Sequence, residues 1–281
     1  MDKIKLYVAL SLSVLLAGCS FGKNTVDVEA VKKVKTVAVI MYSVPEKIVY
    51  RSDARDNSTS VLGALAETSI GNNGAQAAEA AIKTFTETLQ KQNLSFTVMS
   101  HSDVISNPGF SALYIPASAV DKQLDESLLG KSLSFLGSLS GGADYTAAAP
   151  NKMNQYGLVK AWHGDTALTN KPAELKYIKN AIEALKVDAV LVVNDMGFSF
   201  SCEACIGSNG VASTGSAFNA TLVSRFGSIM NIREWFATTD EQGVMAMGIV
   251  DPTEHEALFE EHGRRMAEVF ASAAKESLMV K

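Results

Sequence analysis

The chain has 281 residues, 47% of them apolar, and a formal net charge of −5. The apolar share is enough for a sizeable core, and the length fits one or two domains, read as one domain with insertions. The acidic balance argues against nucleic-acid binding, which relies on lysines and arginines neutralising phosphates. No apolar run of membrane-spanning length follows the first 18 residues.

The amino terminus reads as an export signal. Lys3 and Lys5 are positive, residues 6–16 form an apolar run broken only by serines, and Leu16, Ala17, Gly18 and Cys19 close it. A positive start, a short apolar stretch and small residues before a cut mark a secretory signal. The run is well below the roughly 20 residues that cross a bilayer. The segment resembles the lipobox of bacterial lipoproteins, in which small residues let the chain lie extended in a protease and the cysteine thiol is lipidated. That resemblance implies cleavage before Cys19 and a diacylglyceryl group plus an N-acyl chain on it, an anchor of palmitate type. Two acyl chains suffice for stable anchoring. Ser20, where an aspartate would favour the inner membrane, implies the outer membrane. Asp2, Lys3 and Lys5 give the signal a net +1, so the cut chain carries −6. The expected organisation is a signal peptide over 1–18, a lipidated polar tether over 19–33, and one periplasmic domain over 34–281 with an insertion near 102–170.

Residues 34–42 (VKTVAVIMY) predict the first strand, apolar on both faces and therefore central. Residues 45–73 are irregular. Residues 74–92 predict a helix with Ala78, Ala81, Ile82, Phe85 and Leu89 on one stripe. A short strand is expected over 94–99. Residues 102–170 carry little pattern, with a candidate helix over 122–139 and loop over 141–162. Pro172 fits the first turn of a helix whose buried face is Leu175, Ile178, Ile182 and Leu185. Residues 187–193 (VDAVLVV) predict a second doubly apolar strand, followed by a Gly/Ser-rich loop holding Cys202 and Cys205. Residues 218–226 alternate and turn through Gly227 and Ser228 into 232–238, an antiparallel hairpin. Asp251 and Pro252 start the last helix, with Leu258, Phe259, Met266, Val269, Phe270 and Ala273 on one face. This order predicts an α/β fold: helices cover a sheet that mixes parallel crossovers with an antiparallel edge.

The lipobox, the VKTVAVIMY strand, the AAEAAIKTFTETLQKQ helix, the AIEALKVDAVLVV unit and the FNATLVSRF hairpin together resemble a group of envelope lipoproteins. The group includes the lipoprotein activators of penicillin-binding proteins and the curli secretion-channel lipoprotein, whose core resembles the amino-terminal domain of TolB. The resemblance covers about half the chain. It implies a periplasmic TolB-N-terminal-like domain, with long loop insertions, that binds other proteins. It carries over no functional residue, and the two membrane-hairpin segments of the curli channel are not evident.

Cys202-Glu203-Ala204-Cys205 is the sharpest local motif. A redox dithiol usually sits at a helix N-terminus, which lowers its thiol pKa; the residues that follow make a poor helix start. The expected pairing is a small structural disulfide, worth about 2 kcal/mol in the chain-entropy model, in a compartment that oxidises thiols. No metal site is expected. His255 and His262 share a helix face, but seven residues put them about 10 Å apart along the axis, too far for one ion. His101 and His163 stand alone in expected loops. Gly130-Lys131-Ser132 lacks the rest of a phosphate loop, and Ser138 and Ser140 do not spell a hydrolase elbow. Glu254, Glu256, Glu260 and Glu261 suit the start and wet face of the last helix. Two apolar, glycine-dotted stretches, 61–71 and 128–142, read as insertion packing, with a partner-binding surface as the rival. No catalytic residue and no cofactor is expected. The functional expectation is an outer-membrane-anchored adaptor or assembly factor with envelope proteins as partners. A periplasmic thiol-redox enzyme using Cys202 and Cys205, and a homo-oligomeric structural component, stay open as alternatives.

Overall fold

The two doubly apolar runs pair with each other at the centre of a sheet. One folds as Thr36–Pro45, the other as Ala189–Asp195, parallel to it, with Val37 opposite Ala189 and Ser43 opposite Asn194. All seven residues of the second strand are buried, as they must be where both faces of a sheet are covered. The computed structural model describes residues 24–45, 74–114, 147–153, 172–195, 199–206, 209–238, 241–245 and 254–279. In chain order the described strands are β1 (Thr25–Val26), β2 (Thr36–Pro45), β3 (Thr97–Val98), β4 (Ala147–Ala148), β5 (Ala189–Asp195), β6 (Ser199–Ile206), β7 (Asn209–Ser224), β8 (Gly227–Ala237) and β9 (Gly243–Met245). The described helices are α1 (Val28–Val31), α2 (Gly74–Lys91), α3 (His101–Ser106), α4 (Pro108–Ser111), α5 (Pro172–Leu185) and α6 (Glu256–Met279).

The sheet runs β1-β8-β7-β5-β2-β3, with β4 on β2 and with β6 and β9 on β7. β3, β2 and β5 are parallel; β5, β7, β8 and β1 alternate in direction. The expected α/β class, a parallel centre with an antiparallel edge, is what the chain adopts. α2 carries the chain outward from β2 to β3, and α5 carries it back past β2 to β5. By the right-handed rule for parallel crossovers, these helices belong on opposite faces of the sheet.

α2 and α6 share one face. α2 buries Ala78, Ala81, Ile82, Phe85 and Leu89, the stripe expected from its spacing, and Ala77 beside them. Phe85 sits between Tyr42 of β2 and Phe270 of α6, ring centroids 6.3 and 6.4 Å apart. The two helices approach so closely that a Cβ on Gly263 would lie 2.0 Å from the carbonyl oxygen of Ala81. At the same crossing the Thr84 hydroxyl donates to the Glu260 carbonyl at 2.7 Å.

β7 is the long axis of the antiparallel half. Its last seven residues pair with β5 on one edge and β8 on the other. Its first seven pair with β6, and Gly210, Val211 and Ala212 also pair with β9. β6 therefore continues the edge that β5 occupies, and β9 the edge that β8 occupies.

Several expectations need correction. The segment that contains Cys202 and Cys205 is not a loop but β6. Its serines, and the glycines of β7 that follow, misled because β7 supplies the pairing that the local sequence does not advertise. The expected tether over 19–33 ends early: β1 pairs with β8, Asp27 caps α1, and the Asp27 amide donates to the Ile229 carbonyl at 2.8 Å. The strand over 94–99 contracts to β3. The first 13 residues of the expected insertion form α3 and α4, capped by Ser100 and Asn107, and the Asn107 amide donates to the Ala184 carbonyl of α5 at 3.3 Å. His101 is not alone in a loop: it opens α3, buried, with Nε2 3.3 Å from Glu79 Oε1. Glu261 is not on a wet face: it is buried and takes an ion pair with Arg264 at 2.6 Å. The 218–226 and 232–238 hairpin forms as β7 and β8, longer than expected, and turns at Gly227 with φ 130°, a conformation that favours glycine. No helix of the described residues is long and apolar enough to cross a membrane.

Candidate functional site

The densest chemistry among the described residues lies under α6, at the carboxyl end of β5. Strand alternation decides which residues reach it. Leu191, Val193 and Asp195 point to the α6 face, and so do their cross-strand neighbours Leu222, Ala220 and Phe218. Two more alternate positions along β7 bring Ser216 and Thr214 to the same face. Tyr42 arrives from β2, beside Val193. From above, α6 inserts His262 into its own apolar stripe, between Phe259 and Met266.

These groups form one continuous hydrogen-bond network. His262 Nε2 lies 2.7 Å from Asp195 Oδ2. The Tyr42 phenol donates to the same oxygen at 3.1 Å. The Ser216 hydroxyl donates to Asp195 Oδ1. Across the ring, His262 Nδ1 lies 3.1 Å from the Thr214 hydroxyl. Each ring nitrogen thus faces a polar partner, Asp195 at Nε2 and Thr214 at Nδ1. Thr214 and Thr238 are doubly tied: the Thr214 amide donates to the Thr238 hydroxyl at 2.7 Å, and that hydroxyl donates to the Thr214 carbonyl at 2.9 Å. The edge of the imidazole also meets Phe236, ring centroids 4.6 Å apart.

Burial governs what this network can do. Asp195, His262, Thr214 and Tyr42 are each 0% exposed. Burial, and then the neighbouring Asp195 charge and hydrogen bond, raise the Tyr42 pKa well above the usual phenol value. The phenol therefore stays a neutral donor. An acid, a histidine and a hydroxyl in line have the makings of a nucleophile relay. Here the Thr214 hydroxyl lies 3.2 Å from that of Thr238, and no face of it reaches solvent. The arrangement is a latch: it fastens α6 to β2, β5, β7 and the end of β8 through buried, hydrogen-bonded side chains.

The residues singled out in the sequence are not gathered here. Cys19, His163, Gly130, Lys131, Ser132, Ser138, Ser140 and the stretches 61–71 and 128–142 lie outside the described residues, as does the candidate helix over 122–139. Cys202 and Cys205 belong to β6, whose side chains lie outside them too. A bulge between Cys202 and Ala204 puts Cys202 opposite Ala212 and Cys205 opposite Gly210. The cysteines are thus two ladder steps apart, about 7 Å in a strand, at the edge of what a disulfide bridges. His255 accepts from the Val244 amide at 3.3 Å and so ties β9 to the start of α6. Glu79 joins His101 to the Asn151 amide, which donates to its second oxygen at 2.8 Å. That bonding, with His101 foremost, holds the Glu79 carboxyl below its usual pKa.

Sequence reasoning missed the latch, although one signal for it was present. A histidine within the apolar stripe of a helix needs a buried partner, and the acid that ends an apolar strand, Asp195 after Val192, Val193 and Asn194, is a natural one. Thr214 and Ser216 carried no signal, because the length of β7 was not visible. No protein-family model and no curated protein matches the chain.

Proposed function

We propose that this chain is a lipid-anchored envelope lipoprotein, held on the outer membrane through Cys19, that acts in the periplasm as a protein-binding adaptor or assembly factor of the TolB-N-terminal-like group. The observation that carries the anchor is Leu16-Ala17-Gly18-Cys19 directly after a short apolar run with a positive start. Two features support a binding role over catalysis. The acid, histidine and hydroxyl groups of the latch are buried and hydrogen-bonded. On the antiparallel edge, by contrast, Trp235 is 68% exposed and Phe226 is 94% exposed, and an amphipathic aromatic of this kind is typical of contact surfaces. A disulfide between Cys202 and Cys205 belongs to the same proposal, as a link within β6.

Metabolic labelling with an alkyne fatty acid, followed by membrane fractionation, tests the anchor. Wild type takes up the label and sediments with outer membranes, and Cys19→Ala does neither. Labelling of Cys19→Ala at the wild-type level ends the lipoprotein reading. A photo-crosslinking residue in place of Trp235, activated in intact cells, tests the binding role. It is expected to give a discrete adduct of defined mass, and a monomer alone removes the support that Trp235 lends.

A further inference from the structure

The face of the sheet opposite α6 carries a second polar group, and two of its members hold buried atoms with no hydrogen-bond partner. Ser43 of β2, Asn194 of β5, Asn219 of β7 and Arg233 of β8 are successive cross-strand partners, so they form one rung across four strands on one face. The rung crosses the carboxyl ends of β2 and β5, two parallel neighbours. In open α/β sheets that is where ligands are taken. Below it come Val192, Thr221 and Asn231, where the Asn231 amide donates to the Thr221 hydroxyl at 2.9 Å, and then Val190 and Val223, both buried. Above it the next pair is Ala217 and Trp235, half-buried and exposed. The rung therefore lies where the covered part of this face gives way to an open part.

Asn194 and Asn219 are each 2% exposed. Neither Nδ2 nor Oδ1 of Asn194 has a hydrogen-bond partner, and Asn219 Oδ1 has none either. Buried carboxamides are nearly always paired, because an orphaned polar group loses its hydration for nothing. Three unpaired atoms on adjacent side chains are therefore a prepared set of valences. A carboxamide presents one donor beside one acceptor whichever way round it sits. Its complement is another amide: the guest carbonyl accepts from Asn194 Nδ2, and its N–H groups donate to Asn194 Oδ1 and Asn219 Oδ1. A carboxylate, with acceptors only, would meet two acceptors.

We infer that the Asn194–Asn219 rung is a binding site for a neutral amide group, entered past Ala217 and Trp235. This site is separate from the latch and does not rest on the lipoprotein reading.

Ligand-observed saturation-transfer NMR on the full chain tests it, with acetamide, N-methylacetamide and acetate as probes. Acetamide is expected to bind saturably and at least about tenfold more tightly than acetate, the margin of roughly one good polar contact. N-methylacetamide tells the source of the natural amide: binding weaker than acetamide points to a side-chain carboxamide, and binding as tight points to a peptide main chain. Asn194→Leu and, separately, Asn219→Leu remove the saturable signal while the thermal midpoint stays at or above wild type, since each swap deletes an unpaired polar group. Absence of saturable acetamide binding, equal binding of acetate, or binding that survives both variants overturns the proposal. So does a large drop in the thermal midpoint of both variants, which would mean that the amides serve the fold through ordered water.

Discussion

His262 Nε2 and Asp195 Oδ2 lie 2.7 Å apart with both side chains wholly buried, 67 residues apart in sequence. Such a pair is weak evidence of net stability, but removing one partner strands the other in the interior. Asp195→Ala is expected to cost about 3–5 kcal/mol, because it also leaves the buried Tyr42 phenol without its acceptor. His262→Ala should cost a comparable amount, and the double variant should cost less than the two added. Urea denaturation of the four forms gives the cycle. Strict additivity would mean that the latch is not one unit.

Tyr42 makes the latch sensitive to alkali. Its folded pKa is raised above the unfolded phenol value near 10. Its contribution is therefore complete below about pH 10 and is lost as pH rises towards the folded value. Thermal midpoints measured from pH 8 upward should hold and then fall above that point, and Tyr42→Phe should flatten this fall while lowering the plateau. An equal alkaline slope in both proteins would remove Tyr42 from the account.

The Glu79 clasp has the opposite sign. Its folded pKa lies below the usual 4.5, so its contribution is present above that value and fades as pH falls through the folded one. Glu79→Gln should be less stable than wild type at pH 7 and converge with it in acid. Because Glu79 is 43% exposed, the gap should be small. Differential scanning calorimetry at pH 7 and pH 3 makes the comparison.

Gly263→Ala tests the helix crossing. A Cβ 2.0 Å from the Ala81 carbonyl oxygen meets backbone, so α2 and α6 have to part. Overpacking of this kind costs about 1–3 kcal/mol, although alanine favours a helix more than glycine does by about 1 kcal/mol. A chemical melt that shows Gly263→Ala as stable as wild type would mean that the helices are further apart than described.

Leu191→Asp tests the sheet. Leu191 is 0% exposed in an interior strand, and a carboxylate there loses its hydration with no partner. The variant should fail to fold, whereas Glu260→Ala, half-buried on α6, should shift stability by about 0.5 kcal/mol or less. Far-ultraviolet circular dichroism and a thermal melt report both.

What the sequence disclosed followed the strength of local pattern. β2, β5, α2, α5 and α6 each carry enough apolar residues at one period to declare themselves. β1, β3 and β4 are two residues long and exist only because a neighbour offers its edge. β6 and the first half of β7 are rich in serine, glycine and alanine, and their pairing is a tertiary fact. The candidate sites divide likewise. Cys202 and Cys205 were visible as a motif, whereas the Asp195–His262 latch and the Asn194–Asn219 rung depend on register, which no single segment encodes.

The early pairing of β1 with β8 has a geometric consequence for an anchored protein. From Cys19 to Asn24, where the described chain begins and Asn24 Oδ1 already accepts from the Arg233 amide at 2.8 Å, there are only five residues. Fully extended they reach about 18 Å, comparable to the radius of gyration of about 18 Å expected for a domain of this size. With lipid on Cys19, the leash is no longer than the body it holds. The β1–β8 edge would then hang against the bilayer surface. A partner would then have to come to the membrane, because a domain on so short a leash would be too closely moored to search for one.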